Sequence, residues 1–156
     1  MSGRGASGDG LSGPAELTVA DNLSAVERSR CMSRVRSRHM KPERIVRSIV
    51  HRMGYRFRLH RRDLPGTPDL VLPRRRAVIF VNGCFWHWHP DPRCPKARLP
   101  KSNVGFWKPK LAKNRRRDRD NAAALEQSGW RVLTIWECEL GDLDRVMTHV
   151  YEFLGP

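Results

Sequence analysis

The chain has no run of eighteen consecutive apolar residues, so no segment is long enough to cross a bilayer as a helix. Its first residues have neither the charged start nor the apolar stretch of a secretory signal, which points to a soluble, cytoplasmic protein with no membrane partner. Cysteine is scarce, four in 156 residues, and in a cytosolic setting so few thiols point to metal binding or reactivity before disulfides. Acids are scarce too: 16 Asp and Glu face 30 Lys and Arg, a net charge of +14 and a pI near 10.9. Such an imbalance favours a polyanionic partner, nucleic acid before a membrane surface. No internal repeat is present, and the length suits one domain with a core of ordinary size.

What charge there is lies unevenly. From Arg28 to Arg62 there are thirteen Lys or Arg and one acid, Glu43, a lone carboxylate that a helix N-terminus would also explain. A second basic block runs from Lys108 to Arg119, whereas the segment from Glu137 onward is mildly acidic, so the basic face is expected on one side.

Residues 1–20, rich in Gly and Ser, read as a disordered tail ahead of a single domain over 21–156. Ser24 and Glu27 have capping-box spacing and predict a short helix carrying Met32 and Val35. Pro42 opens the clearest helix, with Ile45, Val46, Ile49, Val50 and Met53 at helical spacing and Gly54 as its stop. Tyr55 to Leu59 alternates as a strand, and Asp69–Leu72 and Ala77–Val81 form a hairpin around a basic turn. After a loop through Phe106, a long helix is expected from Trp107 to Ser128, with Pro109 tolerable only in its first turn and Gly129 closing it. Trp130–Trp136 reads as a buried strand, and Leu143–Leu154 as a helix with Val146, Val150, Phe153 and Leu154 on one face. This order implies an α/β fold, a mixed sheet flanked by helices.

The chemistry concentrates in Gly83-Cys84-Phe85-Trp86-His87-Trp88-His89, with Cys94 five residues on and Cys138 far downstream. Three thiols and one histidine make a Cys3His set of the kind that holds structural zinc. A distant fourth ligand is no obstacle, because zinc asks only that four such donors converge. Three buried free cysteines behaving as small hydrophobes are the plainer reading. His87 and His89 compete for the ligand role, and spacing does not choose between them. The neighbouring aromatics suit stacking on bases, or core packing.

Gly66-Thr67-Pro68-Asp69 places a carboxylate at the start of a strand, where it could hold magnesium beside a scissile phosphate, although a Pro-Asp pair is more often just a turn. Asp118, embedded between Lys113 and Arg119, could serve a histidine or simply balance charge on a solvated helix.

Several runs together carry a resemblance. They are Leu64 to Asp69, Val78 to His87, Pro100 to Asn103 with Phe106-Trp107, Asn114 to Asp118, and Gly129 to Leu133 with Trp136-Glu137-Cys138. In this order they resemble the very-short-patch repair (Vsr) family of DNA mismatch endonucleases over about residues 25–140. The resemblance implies a restriction-endonuclease-like fold and a magnesium-dependent nick on the 5′ side of the thymine in a T·G mismatch. It makes Asp69 a direct magnesium ligand with the backbone carbonyl of Val81, and Glu43 an outer ligand acting through water. His87 becomes the general base and Asp118 its orienter. His89 falls to zinc with Cys84, Cys94 and Cys138, while Phe85, Trp86 and Trp107 wedge into the duplex and Met32 approaches from the other groove. Mismatched double-stranded DNA is the implied partner of an enzyme acting as a monomer. Mismatch-repair proteins and a repair polymerase are the protein partners such an enzyme would meet.

The chain departs from the pattern at Asn82, where some members have a histidine; an amide there can donate a hydrogen bond but cannot carry a proton. Pro90-Asp91-Pro92-Arg93 also lengthens the loop between His89 and Cys94 relative to members with a tight spacing. Trp88 has no assigned role. Two other readings stand beside this one. The first is a nuclease of the same fold with a different mismatch, damaged-base or sequence specificity, and the second is a zinc-bearing DNA-binding module without catalysis.

Overall fold

The computed structural model describes residues 41–156. The expected tail over 1–20, the helix begun near Ala25 and the stacking candidate Met32 lie outside the described residues. Helix α1 spans Pro42–Arg52 as its periodicity predicts, burying Val46, Ile49 and Val50. Gly54, at φ +94°, turns the chain out of it as a side chain rarely could. Strands β1 (Arg58–Leu59), β2 (Leu70–Leu72) and β3 (Ala77–Asn82) follow in an antiparallel meander. The long helix α2 (Val104–Gln127) then crosses to β4 (Arg131–Trp136), which pairs parallel to β3 from Ala77↔Arg131 to Asn82↔Trp136. Helix α3 (Leu143–Leu154) starts where expected, capped by the Asp142 carboxylate, which accepts from the Arg145 N–H.

Strand alternation distributes the core over both faces of the sheet. Leu70, Leu72, Ala77, Ile79 and Ile135 point to one face, where α1 and α3 cover them with Val46, Ile49, Val146, Met147 and Val150. Val71 and Val78 point to the other, against Leu125 of α2 with Phe80, Trp130 and Val132. The mixed sheet flanked by helices is therefore as predicted, with strand order β1-β2-β3-β4.

Three expectations need correction. The first strand pairs over two residues only, because β2 offers just Val71 and Leu70 to it and His60 turns away at φ +47°. Strand β4 is not buried as a whole: it lies at one end of the strand order, and only Ile135 is fully enclosed. Helix α2 begins at Val104 instead of Trp107, so Pro109 lies in its second turn. Asn103, at φ +55°, turns the chain into the helix, and its carbonyl accepts from the N–H groups of both Phe106 and Trp107 at 3.0 Å. The bond that Pro109 cannot donate would have ended on the carbonyl of Gly105, an exposed residue.

Candidate active site

The loop before β2 brings Asp69 to the edge of the sheet. Gly66, at φ +74°, passes so close to α2 that an added Cβ would meet the Asn121 side chain at 3.0–3.2 Å. Thr67 follows at φ +47°, and the Asp69 carboxylate then accepts the Val81 N–H at 2.7 Å. Continued by two residues, the β2–β3 register sets Pro68 opposite Val81, and a proline has no N–H to offer the Val81 carbonyl. Burial raises the Asp69 pKa above the usual carboxylate range; the Val81 N–H opposes the rise, and the neighbouring Glu43 carboxylate adds to it.

Asp69, Val81, Asn82, His87, Arg117 and Asp118 line one cavity of about 400 Å³, with Asn121 and Thr134 among its other walls. His87 Nδ1 lies 2.5 Å from Asp118 Oδ2, both groups being partly buried. Helix α2 supplies this side through one stripe: Asn114 donates to the Trp86 carbonyl at 3.1 Å, Asp118 meets His87, and Asn121 packs against Gly66. The spacing 114, 118, 121 is that of a single helical face. Asn82 is almost completely buried on the cavity wall, at 7% exposure. Glu43 reaches Asp69 from α1, outside that lining, in a cluster with His60 whose ligand atoms all lie within 4.8 Å of one another.

The two competing histidines part ways. His87 turns to Asp118, while His89 joins Cys84, Cys94 and Cys138, with one ligand atom from each within 4.8 Å of the others. Tight turns separate them, the N–H of His87 bonding to the Gly83 carbonyl and that of His89 to the Cys84 carbonyl. The longer His89–Cys94 loop folds on Asp91, whose carbonyl accepts the Cys94 N–H and whose carboxylate binds Arg93. Cys138, just after β4, receives the chain's far half, and the His89 ring stacks on Trp136 at 4.3 Å. The three cysteines are free. Burial pushes the Cys84 thiol up to about 12 and raises that of Cys138, whereas at Cys94 burial is outweighed by hydrogen bonds from backbone N–H groups and the neighbouring thiols, which lower its pKa. This Cys3His donor set fits zinc.

Beside the cavity, Phe85, Trp86, Phe106 and Trp107 form an edge-to-face cluster with neighbouring centroids 5.1–5.9 Å apart, and the Lys110 ammonium lies 5.3–5.8 Å from three of the rings. Trp86 is 52% exposed and Phe106 59%, whereas Phe85 and Trp107 are half-buried. Trp88, at φ +46°, stands apart beneath the Arg115 guanidinium.

Sequence reasoning did not single out His60, Asn121, Arg117 or Phe106 as site residues. Phe106 was legible as the neighbour of Trp107 on a helix that starts one turn early. Nothing local marks His60 or Asn121, which are gathered only by the tertiary fold.

Comparison with known proteins bears on both fold and chemistry. Residues 20–93 match the family model of the DNA mismatch endonuclease Vsr. The chain is 50% identical over 138 residues to the type II nicking enzyme V.XorIIP of Xanthomonas oryzae pv. oryzae, which spans 88% of this chain and 99% of that protein. It is 38% identical over 122 residues to the DNA mismatch endonuclease Vsr of Escherichia coli, spanning 78% of this chain and 76% of that one. Among solved structures it is similar to the catalytic domain of the homing endonuclease I-Bth0305I, with a TM-score of 0.50, 25% identity, and coverage of 73% of this chain and 93% of that one. This likeness bears out the restriction-endonuclease-like arrangement of the sheet.

Proposed function

The chain belongs to the Vsr family of DNA endonucleases, and from that premise we propose that it nicks the thymine-bearing strand on the 5′ side of a T·G mismatch, using magnesium and starting very-short-patch repair. The observation that carries this reading is the His87–Asp118 pair on the wall of the cavity that Asp69 also lines. With Nδ1–H donating to the Asp118 carboxylate, the Nε2 lone pair of His87 is free to take a proton from water. Asp118 fixes this tautomer and steadies the imidazolium that results. The water oxygen attacks phosphorus, and a sugar oxygen leaves.

Asp69 and the Val81 carbonyl would hold magnesium directly, with Glu43 acting through water. Strand geometry sets the Val81 carbonyl on the same edge as the N–H that Asp69 accepts. The ion would supply charge stabilisation at the phosphate and the leaving oxygen. Arg117, which also lines the cavity, adds a fixed positive charge, and Asn82 can donate to a phosphate oxygen without moving a proton. Zinc held by Cys84, His89, Cys94 and Cys138 would tie the aromatic-histidine loop to the end of β4, keeping His87 in place.

Phe85, Trp86 and Trp107 serve as the wedge, with Met32 meeting it from the other groove. The exposure of Trp86 beside the cavity supports the stacking role. Unstacking costs a few kcal/mol per step and less at a mismatch, so the wedge itself contributes selectivity. The names of the relatives support strand nicking as such, so a different mismatch or flanking sequence is the competing specificity. End-labelled duplexes bearing each mismatch separate the two. A single nick 5′ to the thymine of T·G alone is expected, and equal cutting of paired and mismatched duplexes would sink the reading.

A further inference from the structure

His60 has no part in the chemistry described so far, yet its position is specific. Its Nε2 lies 2.9 Å from Glu43 Oε1, and the ligand atoms of Glu43, His60 and Asp69 all fall within 4.8 Å of one another. Donors bonded to one ion at about 2.1 Å lie at most about 4.2 Å apart, so an ion would draw these three side chains slightly together. The residue closes β1 with a left-handed backbone, φ +47°, a conformation that costs free energy in a non-glycine residue. Its side chain is about half exposed, so a solvated cation can reach the nitrogen. Arg47, 3.7 Å from Glu43, offsets one of the two carboxylates and leaves the cluster with negative charge to spare.

We propose that His60 is a direct nitrogen ligand in the cation site of Asp69, and that through it the site binds manganese more tightly than magnesium. This rests on the reading that Asp69 holds the catalytic cation. Magnesium prefers an all-oxygen shell, whereas later divalent ions gain from an imidazole. Ligation uses the Nε2 lone pair, so the proton now shared with Glu43 moves through solvent to Nδ1, and Glu43 keeps its place through water. A His60 that merely positions Glu43 would never touch the metal.

The test uses the full chain with its thiol site loaded with zinc and one equivalent of Mn2+, read by pulsed EPR for electron–nitrogen coupling. Coupling to one histidine nitrogen is expected, lost in His60→Gln and kept in His87→Gln. The His60→Gln protein should bind Mn2+ at least about tenfold more weakly, the smallest change typical even of outer-shell partners, with Mg2+ affinity less affected. Absence of nitrogen coupling in the unsubstituted protein, or coupling that survives His60→Gln, would overturn the assignment. If such a protein still nicks T·G duplexes with magnesium, only the role of His60 fails. If mismatch selectivity fails while the coupling is present, only the proposed specificity does.

Discussion

Two clusters of ligating side chains are built on opposite plans. The thiol cluster is enclosed: Cys84 and Cys94 are buried, and Cys138 and His89 complete the set against Trp136. The carboxylate cluster is open, with Glu43 and Asp69 partly exposed, His60 exposed, and a cavity of about 400 Å³ beside it. A closed set of soft donors can hold an ion for the sake of the fold, while an open set of hard donors leaves room for water and phosphate. The loop from Gly83 to His89 reaches both the thiol cluster and the cavity, because Cys84 and His89 turn toward the thiols and His87 toward Asp118.

The open site, the carboxylate cluster with the cavity beside it, should be indispensable for nicking. Asp69→Ala and His87→Ala should each lower the nicking rate by about 10³-fold or more while leaving DNA affinity and melting nearly unchanged, on the scale of lost general-base or metal assistance. Single-turnover nicking beside a binding titration measures both. The closed cluster should behave in the reverse order. Cys138→Ser, or stripping zinc with a strong chelator, should destabilise the protein by about 3 kcal/mol or more, as losses of a structural metal do. Equilibrium unfolding with and without added zinc reads this out, and an unchanged unfolding midpoint would mean that the thiols are simply packed.

A smaller effect sharpens the contrast further. Asp69→Asn, with zinc present and magnesium withheld, should melt at a higher temperature than the parent near neutral pH, because burial penalises the ionised carboxylate. The folded-state pKa lies above the unfolded one. The parent therefore carries the full penalty above the folded pKa and sheds it as pH falls through that value, so the gap between the two proteins should close on acidification. A gap that widens at low pH would show that Asp69 stabilises the fold through its charge.

The two clusters also differed in how far they could be read from sequence. Cysteine is so rare in this chain that Cys84, Cys94 and Cys138 stood out by type alone, and the choice between His87 and His89, which spacing left open, came from the family resemblance. The open site is assembled from α1, the loop before β2, β3 and α2, so its members are ordinary residues until the sheet brings them together. Asp69 was visible through its Gly-Thr-Pro context, and Asp118 through its basic surroundings. His60 was not, because its position depends on a left-handed turn at the end of a two-residue strand. Helices α1 and α3 were legible because their apolar stripes are regular. The start of α2 was not, since Pro109 suggested a first turn that Asn103 supplies one turn earlier.

The most direct measurement loads the protein with zinc alone, presents a T·G duplex, and then adds magnesium. Zinc-loaded protein should bind the duplex and leave it intact, and magnesium should start a single nick 5′ to the thymine that a T·A control does not show. Nicking with zinc alone, or equal nicking of the T·A control, would contradict the division of labour between the two clusters.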